Sequence, residues 1–467
     1  MGRDEPAGKR PPARQEAQIQ AWGSASKPFA ADSPWNSRPV DPVLDDNVGV
    51  PAAKYSPAVM ASKWSTRVFV SRADDGSMTV SGPGGKGLWN PDAQEAGNVK
   101  IPHWPAGVQG AAGTDGHADI VDPVLGIVHS FWQLRQEEGR WTAAQYAWSP
   151  LAGRGWGDPA HYFQGARATG VPAMAGLIRQ HEVDDGAPLY RHALALSLAT
   201  NALAPDPAYI YPATSADREA RSVNTGRIPQ GALLMLPRGF DVRALADRRV
   251  RKIAETLKTY GAYVVDRNDG TPFIVYAETG SGLDLPGEPW NKEAAADLEK
   301  IREALRQVTG AQAWLDGDGR RIVPDKDLNL LSLRGPWQHD GDGPHGWFDT
   351  WTQSVHFPAA PRPIVQKKDL QASLTDVRWA APRAGVRYRL KAVSTGGARL
   401  RLTIDAAGEG KPRIDSGELG NGESFSFVWP GQAAAPRLYV ISGAGKPSSV
   451  RGELRRQSDG DPAQAKR

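Results

Sequence analysis

Between about residues 386 and 429, apolar and charged side chains alternate one for one. Val386, Tyr388, Leu390 and Ala392 interleave with Arg387, Arg389 and Lys391; Ala398, Leu400, Leu402 and Ile404 interleave with Arg399 and Arg401; Phe425, Phe427 and Trp429 continue the pattern. A period of two puts the apolar residues on one face of a strand and the cations on the other, and no helix accommodates it. Strands of this kind at short spacing predict a small antiparallel β-sandwich over 365–456. If the first two strands are neighbours, their five cations form one basic patch.

The remaining chain is too long to share that core: 467 residues call for at least two domains. Its 51 glycines and 38 prolines are spread as punctuation, which favours many short strands joined by turns. The expected fold is mainly β with a few helices: a larger β domain over 29–335, a connector at 336–364, then the smaller sandwich. Residues 1–28 read as a disordered leader and 457–467 as a disordered tail.

Arg67–Val70 and Met78–Val80 read as strands, 115–122 and 127–134 as a hairpin turning at Asp122-Pro123, and 188–198 as a strand. Ala262–Asp266 and Thr271–Glu278 read as a second hairpin around Asn268-Asp269-Gly270. Helical periodicity marks 241–260, capped by Asp241, and 291–308; Pro172–Val183 also has helical composition.

Five of the nine histidines fall between Asp115 and Leu194. Strict alternation would place Asp115, His117, Asp119 and Val121 on one face of a strand, as the wall of a cleft. Two chemistries use this set. A lyase needs a base, an acid and a group that neutralises a uronic carboxylate; His117 or His192, Tyr263 and Arg179 would serve. A glycosidase needs two carboxylates, Asp115 or Asp119 with Glu182. His103, Trp104, Trp132 and Gln133 are candidates for contacts with substrate. His117 and Asp119, joined by His181 or His192, would also make three metal ligands. Asp340-Gly341-Asp342-Gly343 offers too few ligands for an EF-hand loop and reads as a tight turn, with a structural calcium as the alternative. No other cofactor is called for.

A net charge of +4 and a pI near 9.1 are too dispersed to argue nucleic acid, though they suit an acidic polymer. There is no cysteine, so neither a disulfide framework nor a thiolate metal site can form. No apolar run approaches the roughly 18 residues of a membrane span. The 16 tryptophans suit sugar stacking as well as a β core.

The succession Asp115–Pro123, Ala175–Glu182, Gly186–Leu194, Tyr211–Ala213 and Tyr260–Asp266 resembles secreted bacterial proteins, common in actinobacteria, described as concanavalin A-like jelly rolls. The resemblance covers about residues 30–335. It implies an exported jelly roll and, by analogy with glucanases and alginate-type lyases, a glycan ligand. The sequence reading is therefore a secreted or periplasmic, monomeric enzyme that cleaves a polysaccharide, lyase before hydrolase. The alternative is a non-catalytic glycan-binding or cell-surface adhesion protein.

Overall fold

The computed structural model describes residues 21–335, 337–339, 343–369, 374, 377–405, 412–431 and 435–457. The chain is mainly β, as expected: five sheets and three α-helices among the described residues. The largest sheet has eight strands. Its main path runs Arg38–Gly49, Arg306–Leu315, Leu233–Met235, Ala262–Asn268, Leu194–Ala199, Phe273–Tyr276, Ala58–Met60. Helices Arg248–Thr259 and Lys292–Ala304 cover one face, burying Val250, Ile253, Leu257, Leu298 and Ile301 against Leu194, Leu196, Val264 and Val275. Each helix starts where a side chain accepts from the orphan backbone N–H groups of the first turn: Asp247 from Arg249 and Val250, Asn291 from Ala294. Asp241, the expected cap, caps only a short 3-10 turn at Val242–Ala244.

The other face carries Ala193, Ala195, Tyr263, Val265, Ile274 and Tyr276, packed with Trp35 and Trp156. Beyond it lies a six-stranded sheet whose hairpin, Ala118–Asp122 with Ile127–Trp132, forms as predicted. Asp122 closes that turn by accepting from the backbone of Val124 and Leu125. Strand Ala118–Asp122 divides its side chains: Ala118 and Ile120 enter a core shared with a small four-stranded sheet, whereas Val121 packs with Val128 and Met174.

Several expectations are corrected. The second hairpin does not close, because Leu194–Ala199 inserts between its two strands, parallel to Ala262–Asn268 and antiparallel to Phe273–Tyr276. Pro172–Val183 is not a helix; only Gln180–Glu182 makes a 3-10 turn. Gly176 there is at φ 67° with the Trp35 ring against it, a position where a Cβ would sit 2.3 Å from that ring. Residues 21–28 are ordered rather than leader-like: Trp22 donates to Asp318, and Gly23 N donates to Lys27 O.

The C-terminal sandwich pairs two five-stranded sheets over a core of Leu390, Leu400, Leu402, Leu438, Val440, Val450 and Leu454. The segment read as a connector belongs to it. Gln338–His339, Trp347–Asp349 and Ser354–Phe357 are its strands, and Leu330, Leu331 and Leu333 enter its core. Strands this short show no alternation. The sandwich also packs against Ala93 and Tyr162 of the first unit. Asp340–Asp342, the calcium candidate, lies outside the described residues.

Candidate functional site

Three polar clusters gather the titratable residues, and the two faces of strand Ala118–Asp122 keep them apart. On the face towards the small sheet, His103 Nδ1 lies 2.7 Å from Asp122 Oδ2, and His129 Nε2 lies 3.9 Å from the same oxygen. His129 Nδ1 meets the Tyr146 hydroxyl at 2.9 Å. Burial opposes the Asp122 charge, but the neighbouring imidazoles of His129 and His103 hold its carboxyl well below the usual range. Trp104 packs edge-on to Phe131 and beside Trp141, as part of that core.

A second cluster lies beyond the helix-covered sheet. Arg179 Nε donates to Glu278 at 3.0 Å, and Glu182 accepts from the Arg179 backbone at 2.9 Å and meets His192 Nε2 at 3.2 Å. Burial opposes the Glu182 charge, but the neighbouring His192 holds the carboxyl at about 2; burial likewise opposes the His192 cation, and Glu182 raises it. Lys252 donates to the Glu182 carbonyl. These bonds tie the 3-10 turn at Gln180–Glu182 to the strand that follows His192.

The third cluster stands at one end of the space between the two large sheets. Arg167 is 1% exposed; its Nη1 donates to Asp266 Oδ2 at 2.7 Å, and its guanidinium lies 4.2 Å from the centre of the Tyr276 ring. Its Nε and Nη2 are buried without a hydrogen-bond partner. The Asp266 side chain is 20% exposed. Burial raises it, Arg167 pulls it down, and the nearby charges of Asp217 and Asp115 push it up again, leaving it at about 7. Asp217, which accepts from Gln230 at 2.5 Å, is also raised, chiefly by burial. Asp115 is half-buried.

A β-bulge positions Asp266. Leu196 stands opposite Val264, but Ser197 stands opposite Asp266, so Val265 is an extra residue. Plain alternation would send Asp266 with Ala262 and Val264 towards the helices; the bulge re-aims it towards Arg167 and Tyr276. The segment before the 118–122 strand bends too. Gly116 is at φ 47°, packed 3.1 Å from Gln133 Cα at its Cβ position, so Asp115 and His117 do not lie on one straight strand with Asp119.

Of the remaining candidates, His117, Asp119 and Tyr263 are buried. His117 is 3% exposed with Nδ1 3.3 Å from the Phe131 carbonyl; burial first and Arg167 second lower it to about 3, so it is neutral at working pH. Asp119 accepts from Ser130 at 2.5 Å and from the Met174 backbone at 2.6 Å, and burial raises it to about 6. Tyr263 sits between Trp35 and Trp156, ring centres 5.4 and 5.7 Å away, and burial raises its hydroxyl far above the ordinary value. Trp132 and Gln133 are half-buried, and Gln133 turns the chain at φ 57°. Arg167, Asp217, Asp266 and Tyr276 were missed. The only sequence signal for Asp266 is its place at the end of the Tyr260–Asp266 segment. Among the described residues no three His, Asp or Glu side chains gather to hold a metal ion. A surface cleft lined by Tyr55, Trp290, Lys54 and Glu299 offers aromatic faces but no carboxylate pair, since Glu299 is engaged by Arg302 at 2.7 Å.

No family model matches the chain. No curated protein matches it either. Among solved structures it is similar over 28% of its length to a glycosylation-associated protein complex (Gap123) from Streptococcus agalactiae, at 15% identity and a TM-score of 0.21, and spans 44% of that chain, under half. It is similar over 29% to accessory secretory proteins 1, 2 and 3 of Streptococcus pneumoniae, at 14% identity and a TM-score of 0.21, covering 100% of that chain. It is similar over 30% to a family 29 carbohydrate-binding module, at 9% identity and a TM-score of 0.17, covering 93% of that chain. Scores this low carry no argument about how the chain works. No helix among the described residues is long and apolar enough to cross a membrane.

Proposed function

We propose that the protein is an exported glycan-binding hydrolase whose acid is Asp266. The observation that carries the reading is a partly exposed carboxyl, Asp266, held 2.7 Å from the buried guanidinium of Arg167 at the bulge in its strand. Asp266, raised to about 7 first by burial, can carry a proton at working pH, and the charges of Asp217 and Asp115 act on it. Glycosidic cleavage needs this pairing: one carboxylic acid to protonate the leaving oxygen, one carboxylate to activate water or attack the sugar. Arg167 is a positioning residue. Its bond to Oδ2 fixes the rotamer of Asp266, and stacking on Tyr276 holds the guanidinium in place.

A lyase reading finds less support, because its roles are dispersed. Tyr263 is locked in a tryptophan core, and Arg179 and His192 are engaged by Glu278 and Glu182.

The deciding experiment incubates the full chain with neutral and uronic polysaccharides and follows reducing ends and ultraviolet absorbance together. Release of reducing ends without absorbance, lost in Asp266→Asn, is the expected result. An absorbance rise identifies a lyase, and retention of polymer with neither signal identifies a binder.

A further inference from the structure

The expected basic patch does not exist, because strands Arg387–Thr395 and Arg399–Asp405 belong to opposite sheets of the sandwich. Arg399 is paired with Glu418 at 2.6 Å, and Arg401 with Asp415 at 2.5 Å. A different open site is the cleft beside Ala58–Met60, the edge strand of the eight-stranded sheet, with a volume of about 630 Å³. That size suits a small ligand or a short stretch of polymer. Tyr55 and Trp290 line it and are 54% and 56% exposed. Single exposed aromatics are ordinary, but two in one concavity mark a binding surface.

Both aromatics are carried on pinned backbone. Tyr55 N donates to the Gly270 carbonyl at 2.9 Å. Gly270 is at φ 93°, and a Cβ there would meet Lys54 Cβ at 3.3 Å, so the turn packs close against this segment. Trp290 immediately precedes Asn291, which caps helix Lys292–Ala304. Asn291 donates its backbone N–H to the Pro286 carbonyl and its side-chain amide to Asp247, each at 3.2 Å. An aromatic face held this way loses little freedom when a ligand arrives. The charges in the cleft balance, with one cation, Lys54, and one anion, Glu299. Lys54 Nζ lies 4.9 Å from the centre of the Tyr55 ring. The bonds from Arg302 to Glu299 both fall on Oε1, so Oε2 keeps its capacity to accept. Ser56 and Thr271 add hydroxyls to the same lining.

We propose that this cleft binds a neutral glycan, with one sugar ring on the Trp290 indole and its hydroxyls meeting Lys54, Glu299, Ser56 and Thr271. The proposal goes beyond the cleavage reading and stands whether or not Asp266 is an acid. An exposed indole offers an apolar plane to the C–H face of a pyranose. A sugar hydroxyl both donates and accepts, which matches a lining of amine, hydroxyls and carboxylate. A proline-rich peptide also docks on aromatic grooves, but its prolines bring no N–H to Glu299. Because the lining charges cancel, an acidic polymer gains nothing over a neutral one. The cleft is also separable from Asp266. Ala58 stands opposite Ile274, Ile274 opposite Ser197 and Ser197 opposite Asp266, three strand spacings or about 14 Å along one row. Substitutions that far apart act independently.

Calorimetric titration of the full chain with cellohexaose, mannohexaose and maltohexaose tests it, with polygalacturonate and decaproline alongside. The wild type is expected to bind at least one of the three neutral hexamers. Its affinity should change less than about twofold between about 50 and 300 mM salt, since a neutral ligand leaves no charge to screen. Trp290→Ala should weaken that binding about tenfold, the worth of one aromatic contact, and Tyr55→Ala should weaken it as well if the first variant fails to fold. Trp290→Phe keeps a ring and should retain most of the affinity. Trp347→Ala removes an indole that is 52% exposed on the C-terminal sandwich and should bind as wild type. Asp266→Asn should also bind normally, so loss of cleavage there bears on the acid alone. Four results overturn the proposal: no neutral hexamer bound, wild-type affinity in both alanine variants of the cleft, equal loss in Trp347→Ala, or decaproline or polygalacturonate bound as tightly as the best hexamer.

Discussion

Asp266→Asn is expected to make the protein more stable at alkaline pH and inactive at every pH. A carboxyl whose folded value exceeds its unfolded one takes up a proton on folding. Its contribution is full below the unfolded value of 3.8 and is lost as pH rises through about 7. The gap is about 3 units at about 1.4 kcal/mol each, so the wild type loses up to about 4 kcal/mol over that window through this one group. Partial exposure of the side chain and its interaction with Asp217 bring the expected change to about 2–4 kcal/mol. Asparagine is the neutral isostere and can still accept from Arg167. Urea midpoints of wild type and variant should therefore agree near pH 4 and diverge by pH 8, with the variant ahead. The opposite pH dependence of neutral His117 is common to both proteins and cancels in the comparison. A constant loss of about 3–5 kcal/mol at both pH values refutes the reasoning, because that is the signature of an ordinary buried ion pair with Asp266 ionised throughout.

Other outcomes follow from the same geometry. Glu182→Gln should lower stability by about 1.5–3 kcal/mol at pH 6, since it replaces the charged acceptor of His192 and the Arg179 backbone. With Glu182 held at about 2, its share is present above 4.5 and lost as pH falls towards 2; the share of His192 is present below 6.5 and lost as pH rises through its raised value. Urea midpoints from pH 2 to 9 trace both limbs. Tyr263→Phe should leave polysaccharide cleavage within about twofold of wild type in the reducing-end assay, because that hydroxyl lies in the tryptophan core. A fragment spanning 327–457 should unfold cooperatively on heating, whereas 365–456 should aggregate, since it exposes Leu454 and the edge normally covered by Ser354–Phe357.

The sandwich strands and both long helices were legible because each buries one face along its whole length, so periodicity reports burial directly. The hairpin at Asp122 was legible because turn chemistry is local. Strand partners were not. Which strand lies beside Arg387–Thr395 depends on a segment about sixty residues on in the chain, and alternation alone assigns a face but no neighbour. The carboxylate cluster was hidden for a related reason. Arg167 sits in an irregular loop, Asp217 before a short helix and Asp266 after a bulge, so no period links them. The histidines stood out by type, yet His117 and His129 are buried, and burial lowers both, His117 to about 3.

The strand that inserts between Ala262–Asn268 and Phe273–Tyr276 has a kinetic consequence. Those two segments are close in sequence and could pair within microseconds as a hairpin, but doing so would shut out Leu194–Ala199. The first strand of the same sheet, Arg38–Gly49, finds its partner only when Arg306–Leu315 has been made. On the ribosome the earliest strand thus waits for nearly the last, with its edge open meanwhile. Assembly of this sheet is governed by distant pairings, which are slow and leave strand edges available to other chains. Yield of soluble protein should accordingly depend on temperature and on chaperones during synthesis more than on the stability of the finished sheet.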